Sequence, residues 1–398
     1  MQTTGQVQKY KYAVLGAGKQ GSAAAYDMAK FGNARKIVLG DIDPELAKKA
    51  ANRVNVLCRR KVAEGVRVDV RRPAQVKRFL AGTDAFLSAV PYYYNLEVAK
   101  AAIRARASMC DLGGHTGIVR KQLLLDQQAK DAGISIVPDC GLGPGMGTSL
   151  ACYGIDLLDE PREVCIWEGG LPQNPRPPFN YLMTFNFEGL VNEYSGMAEF
   201  LRGGEIVEVP CIEELEFVDF PPPLGRLEAF TTSGGTSTCP WTFKGKLKVF
   251  QNKTLRYPGS FAQLRTMRDL GLFSDKELKI DRSRIVPRRV LQALFEPKIN
   301  LLGEKDVVVL RVRCVGEKNK QEAEVVLDVV DFYDDETQFT AMERTTGWHA
   351  SIVAIMMAHG VTPRGAKPLE IAVPGAAFVK ELKRRGINLT EKVSAISR

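Results

Sequence analysis

Tyr10-Lys11-Tyr12-Ala13-Val14-Leu15-Gly16-Ala17-Gly18-Lys19-Gln20-Gly21 is followed by an Ala- and Met-rich run and then by Lys36-Ile37-Val38-Leu39-Gly40-Asp41. Tyr12–Leu15 has the apolar pattern of a buried strand, the glycine turn opens a helix, and a second strand ends in an acid. Each glycine has its own physical job. Gly16 permits the tight turn, Gly18 lets backbone approach a pyrophosphate, and Gly21 lets helix pack close to strand. Phosphates would then meet the free N–H groups of a helix N-terminus. Asp41, about twenty residues past Gly21, stands where a carboxylate receives ribose hydroxyls. The stretch therefore reads as a dinucleotide site. With Asp41 and Asp43 side by side, a 2′-phosphate would be repelled, so the expected cofactor is NAD. Asp43 before Pro44 also fits a helix N-cap, and both readings stay open.

Working outward, strand and helix patterns alternate without a break through Ile134–Val137. A crossover helix spans Pro44–Leu57 and strands Val66–Val70 and Thr83–Val90. A short helix covers Ala74–Leu80, with further helices at Asn95–Ala105 and Val119–Ala132 and a strand at Ser108–Leu112. This is the rhythm of a doubly wound α/β (Rossmann) domain, in which ligands bind at the carboxyl ends of the strands. The expected cofactor contacts are Gly16, Gly18, Lys19, Gln20, Gly21, Asp41, Ile42, Asp69, Ser88, Val90 and Pro91. Past Gly147 the rhythm stops. Proline clusters at Leu171–Pro178 and Pro221–Pro223, short strand patterns, and a hairpin formed by alternating Val308, Leu310, Val312 and Cys314 with Ala323–Phe332 indicate a second α+β domain with a mixed or antiparallel sheet. The expected division is 1–146, dinucleotide-binding; 147–344, substrate and dimerisation; and 345–398, C-terminal helices packing back on the first domain.

Composition excludes several classes. A net charge of +9 could suit nucleic acid, but Lys and Arg are scattered and no run of five basic residues occurs, so no nucleic-acid partner is expected. The apolar run Ile352–Ala358 is too short to cross a bilayer, and Met1–Gln6 lacks the basic start and apolar stretch of a secretory leader. The expectation is a cytoplasmic protein without a membrane partner, acting on a small molecule as a homodimer or higher homo-oligomer. The eight cysteines have neither C-x-x-C nor metal-ligand spacing, so they read as reduced, mostly buried thiols and no metal is expected. No G-x-S-x-G or H-E-x-x-H motif supports hydrolysis. Hydride transfer is the chemistry left. Of the three histidines, only His115 follows a strand on the ligand-facing side. His359 fits a helix C-terminus, and His349 lies near a helix start.

Several further motifs carry a family resemblance. They are Asp111-Leu112-Gly113-Gly114, Pro138–Gly145, Glu188-Gly189-Leu190-Val191-Asn192-Glu193-Tyr194, Thr232-Ser233-Gly234-Gly235, Leu255-Arg256-Tyr257-Pro258-Gly259 and Arg344-Thr345-Thr346-Gly347. Through nearly its whole length the chain resembles the saccharopine dehydrogenase-like amino-acid dehydrogenases, above all their NAD-dependent lysine 6-dehydrogenases. The resemblance implies oxidative removal of the ε-amino group of L-lysine, or of a related diamino acid, giving the semialdehyde that cyclises to a piperideine carboxylate. It also implies a site drawn from both domains. His115, Glu188, Tyr194, Arg256 and Tyr257 are the catalytic candidates, and Asn192, Glu193, Arg344, Thr345 and Thr346 are the substrate-binding ones. Arg256 is the candidate for the α-carboxylate, because a planar fork can bind both oxygens. Three positions depart from the family pattern: His115 stands for Asn, Ser260 for His and His349 for Pro. Ser260 removes a proton-transfer candidate and leaves His115 as its replacement. Two other readings remain open, a reductive condensation of the saccharopine or carboxynorspermidine type and a non-catalytic NAD sensor.

Overall fold

The computed structural model describes residues 8–396. The chain forms two compact units. One runs to Ser149 and takes in Glu343–Arg385; the other is Leu150–Met342 together with the chain from Gly386.

In the first unit, strands β1 (Tyr10–Leu15), β2 (Ala34–Asp41), β3 (Ala63–Arg67), β4 (Ala85–Ser88), β5 (Ser108–Asp111) and β6 (Ser135–Val137) form a parallel sheet in the order β6-β5-β4-β1-β2-β3. The short strand Gly365–Ala366 extends it beside β6. The order reverses between β1 and β4, which is the doubly wound arrangement expected from the alternating pattern. β3 begins earlier than Val66 because its register follows β2, from Ile37 opposite Ala63 to Asp41 opposite Arg67. The helix Lys19–Phe31 buries Ala23, Ala24, Ala25 and Met28, small residues that bring it close to the sheet. Pro44–Leu57 is capped by Asp43, whose Oδ1 accepts from Glu45 N at 2.9 Å and Leu46 N at 3.3 Å. Asp43 is thus a cap. The single helix expected over Val119–Ala132 is two, Thr116–Leu123 and Asp126–Asp131, and no glycine or proline marks the break. The helix Trp348–Ala358 is buried on nearly all sides and packs on β4, β5 and Lys19–Phe31. Arg385, just after Gly375–Arg384, reaches back to Asp27 with Nε at 2.8 and 2.9 Å from its two carboxylate oxygens. Both side chains are wholly excluded from solvent.

The second unit holds a nine-stranded mixed sheet. Its strands are β7 (Glu160–Pro172), β8 (Met197–Arg202), β9 (Glu205–Pro210), β10 (Glu216–Phe220), β11 (Gly225–Thr231), β12 (Val249–Arg256), β13 (Asp306–Lys318), β14 (Gln321–Phe332) and β15 (Leu389–Ala395). β12 runs parallel to β7, and every other pairing is antiparallel. The β13–β14 hairpin turns at Asn319-Lys320, both at positive φ, the geometry that suits a two-residue hairpin loop. β15 corrects the expected division of the chain. The C-terminal segment returns to the first unit only through Arg385, and Leu389–Ala395 then pairs with β14 in the second sheet.

Alternation divides this sheet into two faces. One buries Leu171, Leu255, Tyr257, Val307 and Val309 with Phe220 and Leu227. On the other, Phe230 packs with Phe187, Leu190, Val191 and Tyr194 around the helix Phe187–Glu193, and with residues of Ser260–Asp269 and Pro287–Ile299. That second face carries a polar row, Glu168 on β7 with Asn252, Thr254 and Arg256 on β12. Thr254 pairs with Glu168 across the parallel strands. All eight cysteines are free, and most are buried. No helix among the described residues is long and apolar enough to cross a membrane.

Candidate functional site

The glycine turn in the first unit is built as its sequence requires. Gly16 has φ +94°, and a Cβ there would lie 2.4 Å from the Ala89 carbonyl oxygen; at Gly21 it would lie 1.9 Å from the Gly16 oxygen. Side chains at these positions would break the turn. Gly18 differs: nothing lies within 4 Å of where its Cβ would be, so the space above it is open. The helix starting at Lys19 has no side chain capping its first N–H groups. Asp41 is fixed beside them, Oδ2 accepting from Ala17 N at 2.8 Å and Oδ1 from Asp43 N at 3.0 Å. Gln20 Oε1 is buried without a hydrogen-bond partner, and Ile42 is exposed at the end of β2. An open glycine, free helix N–H groups and an adjacent acid fit a dinucleotide's pyrophosphate and ribose.

Other expected cofactor contacts are less available. The Ser88 hydroxyl is buried and donates to Asn95 Oδ1 at 2.9 Å, which leaves only its backbone for a ligand; Val90 and Pro91 follow in the more open loop after β4. Arg71 grips Asp69 with two bonds of 2.9 Å and holds its carboxyl down to about 2. Asp69 also borders a cavity of about 420 Å³ with Arg67, Arg72 and Arg78, none of whose lining residues belongs to the glycine turn.

The three histidines separate cleanly. His115 is exposed in the loop after β5, and its ring stacks on Tyr92 with centroids 5.4 Å apart. His349 is fully buried, with Nε2 2.9 Å from Ser149 Oγ, and burial pulls its pKa down to about 4, so it is a core residue. His359 caps the end of Trp348–Ala358 and packs against Tyr10. Arg344, Thr345 and Thr346 fall in the first unit, on a π-helical turn spanning Glu343–Gly347. Thr345 is wholly buried and Arg344 lies over the Trp348 ring. A Cβ on Gly347 would lie 2.8 Å from Gln20 O, so this motif packs tightly against the first turn of Lys19–Phe31. Packing explains Thr345 and Gly347 without any substrate.

In the second unit the structure brings Arg256, Tyr194 and Glu193 together. Arg256 is buried; its Nε donates to Tyr194 OH at 2.9 Å, Nη1 donates to Leu255 O at 2.8 Å, and Nη2 lies 3.5 Å from Glu193 Oε2. The guanidinium also sits over the Tyr181 and Tyr194 rings, at 5.0 and 5.7 Å from their centroids. Burial works against its charge, but Tyr194, Tyr181 and Glu193 outweigh this and hold its pKa above the ordinary value. The Nε edge is occupied by Tyr194, so an anion has the Nη end to approach. Burial raises the Tyr194 phenol to about 12, which keeps it protonated. Glu193 and Asn192 end their helix where Ser233 ties it down, its N donating to Glu193 O and its Oγ to Asn192 O. Glu188 lies exposed in the first turn of the same helix. Tyr257 is a correction: alternation puts it on the opposite face, in the other core cluster, with its hydroxyl donating to Pro172 O. Ser260 is buried with an unpartnered hydroxyl and lines, with Arg256 and Tyr181, a cavity of about 20 Å³, room for a water molecule.

Sequence reasoning missed Glu168. It is nearly buried; Asn252 Nδ2 donates to its Oε1 at 2.7 Å, and Oε2 has no partner. Burial raises its pKa to about 7, with the Asn252 bond lowering it, Glu193 raising it and Arg256 lowering it. The signal was present in the alternation Val164, Ile166, Glu168, which sets an acid at an inward-facing strand position.

Comparison with known proteins bears on this arrangement. A family model described as saccharopine dehydrogenase C-terminal domain matches residues 141–387, and one described as saccharopine dehydrogenase NADP binding domain matches 12–137. The chain belongs to the saccharopine dehydrogenase family. Within the family it is 26% identical over 277 residues to a saccharopine dehydrogenase (NADP(+), L-glutamate-forming) of Pyricularia oryzae, a match covering 64% of this chain and 60% of that one. It is 24% identical to the mitochondrial alpha-aminoadipic semialdehyde synthase of Mus musculus, over 67% of this chain and 29% of that protein. The chain thus spans about 60% or less of the length of these two relatives. Among solved structures it is similar to saccharopine dehydrogenase (L-Glu forming) from Saccharomyces cerevisiae, with TM-score 0.78 and 18% identity, covering 97% of this chain and all of that one. It is also similar to homospermidine synthase from Legionella pneumophila in complex with NAD, with TM-score 0.65 and 11% identity over 97% and 92% of the chains. Both likenesses establish the fold alone. Family membership gives the chain a dinucleotide-binding domain over residues 12–137.

Proposed function

We propose that the protein is an NAD-dependent dehydrogenase that oxidises the carbon bearing the ε-amino group of L-lysine. The observation that carries the substrate class is the Arg256 cluster, a buried guanidinium with Glu193 at 3.5 Å and Glu168 on the same sheet face. Opposite charges this close suit the head of an amino acid, its carboxylate at the Nη end of Arg256 and its ammonium at the acids. Support for NAD comes from Asp41, held at the end of β2 by two backbone N–H groups and acceptor-only when ionised. Gly16, Gly18 and Gly21 would seat the pyrophosphate, the N–H groups from Lys19 onward would bond it, and Asp41 would take the ribose hydroxyls. Bound nicotinamide would supply the hydride acceptor. Tyr194 would hold the fork of Arg256 in place by its 2.9 Å bond, and exposed His115 is available to move a proton in the first unit.

A second reading is favoured by Arg67, which is exposed and lies opposite Asp41 in the β2–β3 pairing, and by the NADP(+) in the fungal relative's name. On that reading the protein uses NADP and interconverts saccharopine with its amine and carbonyl parts. One assay separates the two. The protein is incubated with NAD or NADP and either L-lysine or saccharopine, and absorbance is read at 340 nm. The expected result is NADH formation from lysine, with Asp41→Ala lowering NAD affinity and narrowing the preference against NADP. Turnover of saccharopine with NADP, and none of lysine, would replace the first reading with the second.

A further inference from the structure

Glu168 and Arg256 belong to neighbouring parallel strands and face the same way, because Thr254 is directly opposite Glu168 and Arg256 follows it by one strand repeat. The groups facing Glu168 are few. Asn252, Thr254 and Arg256 come from β12, Glu193 from the end of Phe187–Glu193, Tyr181 and Tyr194 crowd the guanidinium, and β13 contributes apolar Leu310. Asn252 takes one carboxylate oxygen. The other is buried and has no hydrogen-bond partner. A buried acceptor left unmet costs about 1–3 kcal/mol, more when it is charged, and it persists where a ligand completes it.

We infer that Glu168 is a binding residue for the α-ammonium of the substrate, which sits between the Glu168 and Glu193 carboxylates while the adjacent α-carboxylate meets Arg256. This rests on the reading of the Arg256 cluster as an amino-acid site, and it adds the residue that distinguishes an α-amino acid from a plain carboxylic acid. Without ligand, burial holds Glu168 half-protonated near pH 7. An arriving ammonium stabilises the carboxylate, so binding below that pH must expel a proton.

The test is calorimetric and needs no turnover. Norleucine keeps the α-amino and carboxylate groups of lysine, whereas 6-aminohexanoate keeps the carboxylate and ε-amino group but lacks the α-amino group. Native protein and Glu168→Gln are titrated with each at pH 8, and native protein, Glu168→Gln and Asn252→Ala are titrated with norleucine at pH 6 and above in two buffers of different ionisation enthalpy. The variant should bind norleucine roughly tenfold or more weakly, the scale of one charge-assisted hydrogen bond, and 6-aminohexanoate unchanged. Native protein should release a proton on binding norleucine at pH 6, and Glu168→Gln should not. Asn252→Ala, which removes the donor stabilising the carboxylate, should carry that release to higher pH. Equal norleucine affinity in native protein and Glu168→Gln overturns the inference and leaves the Arg256 site standing. If neither lysine nor norleucine binds native protein, the amino-acid reading falls and the inference with it.

Discussion

Glu168 gives the unit a pH-dependent stability whose sign can be worked out. Its folded pKa of about 7 lies above the ordinary carboxyl value, so the folded chain binds the proton more tightly than the unfolded one. Its contribution is fully present below the unfolded pKa of about 4.3 and is lost as pH rises through about 7. Above that, an uncompensated buried carboxylate costs on the order of 3 kcal/mol. Glu168→Gln keeps the shape and the Asn252 contact without the charge. Thermal unfolding should therefore find the variant more stable than native protein at pH 8 and nearly equal to it at pH 5. A difference independent of pH would mean that Glu168 is not the titrating group.

At the scale of elements, what was legible followed from local pattern. The β1–glycine turn–helix–β2 unit, the sheet with its reversal, and the β13–β14 hairpin each announce themselves through apolar periodicity and turn residues within a few dozen positions. What escaped is set by distant partners. The strand Leu389–Ala395 is mostly exposed and does not alternate cleanly, so only its pairing with β14 defines it. Tyr257 adjoins Arg256 in a family motif, yet strand alternation sends the two to opposite faces. Gly347, which ends the Arg344-Thr345-Thr346-Gly347 motif, owes its place to packing against Gln20, a partner far away in the sequence. The Asp27–Arg385 pair was equally invisible, since its partners lie at opposite ends of the first unit's sequence. Both side chains are fully buried. Arg385→Met would leave the Asp27 carboxylate buried without its cation and should cost about 3–5 kcal/mol in denaturant unfolding; adding Asp27→Leu should recover much of that loss. If the single replacement were harmless, the pair would not be holding the C-terminal helix Gly375–Arg384 to the unit.

For the whole molecule, the chain leaves the first unit after Ser149, returns at Glu343 and leaves again after Arg385. Each unit is therefore closed by sequence from both sides of the other, and the groups proposed for cofactor and for the amino-acid head belong to different units. The reaction they are proposed to serve imposes its own pH dependence. A hydride can leave the ε-carbon only when the amine lone pair is free to form the iminium, so the reacting lysine must be neutral at its side chain. With a free side-chain pKa of about 10.4, that form costs roughly 4.6 kcal/mol at pH 7, from about 3.4 units at 1.36 kcal/mol each. The Glu168 carboxylate, with its pKa of about 7, adds a second requirement in the same direction, since it too must lose its proton before it can hold the α-ammonium. Thus kcat/KM for lysine should rise steeply below pH 7, continue upward with a shallower slope, and peak near or above roughly pH 9. Glu168→Gln should lower the whole profile and remove the steeper limb below pH 7. His115→Asn should move the remaining acidic limb if His115 is the base that takes the ε-amine proton. A native profile already flat from pH 6 to 8 would show that the ε-amine is not the group oxidised.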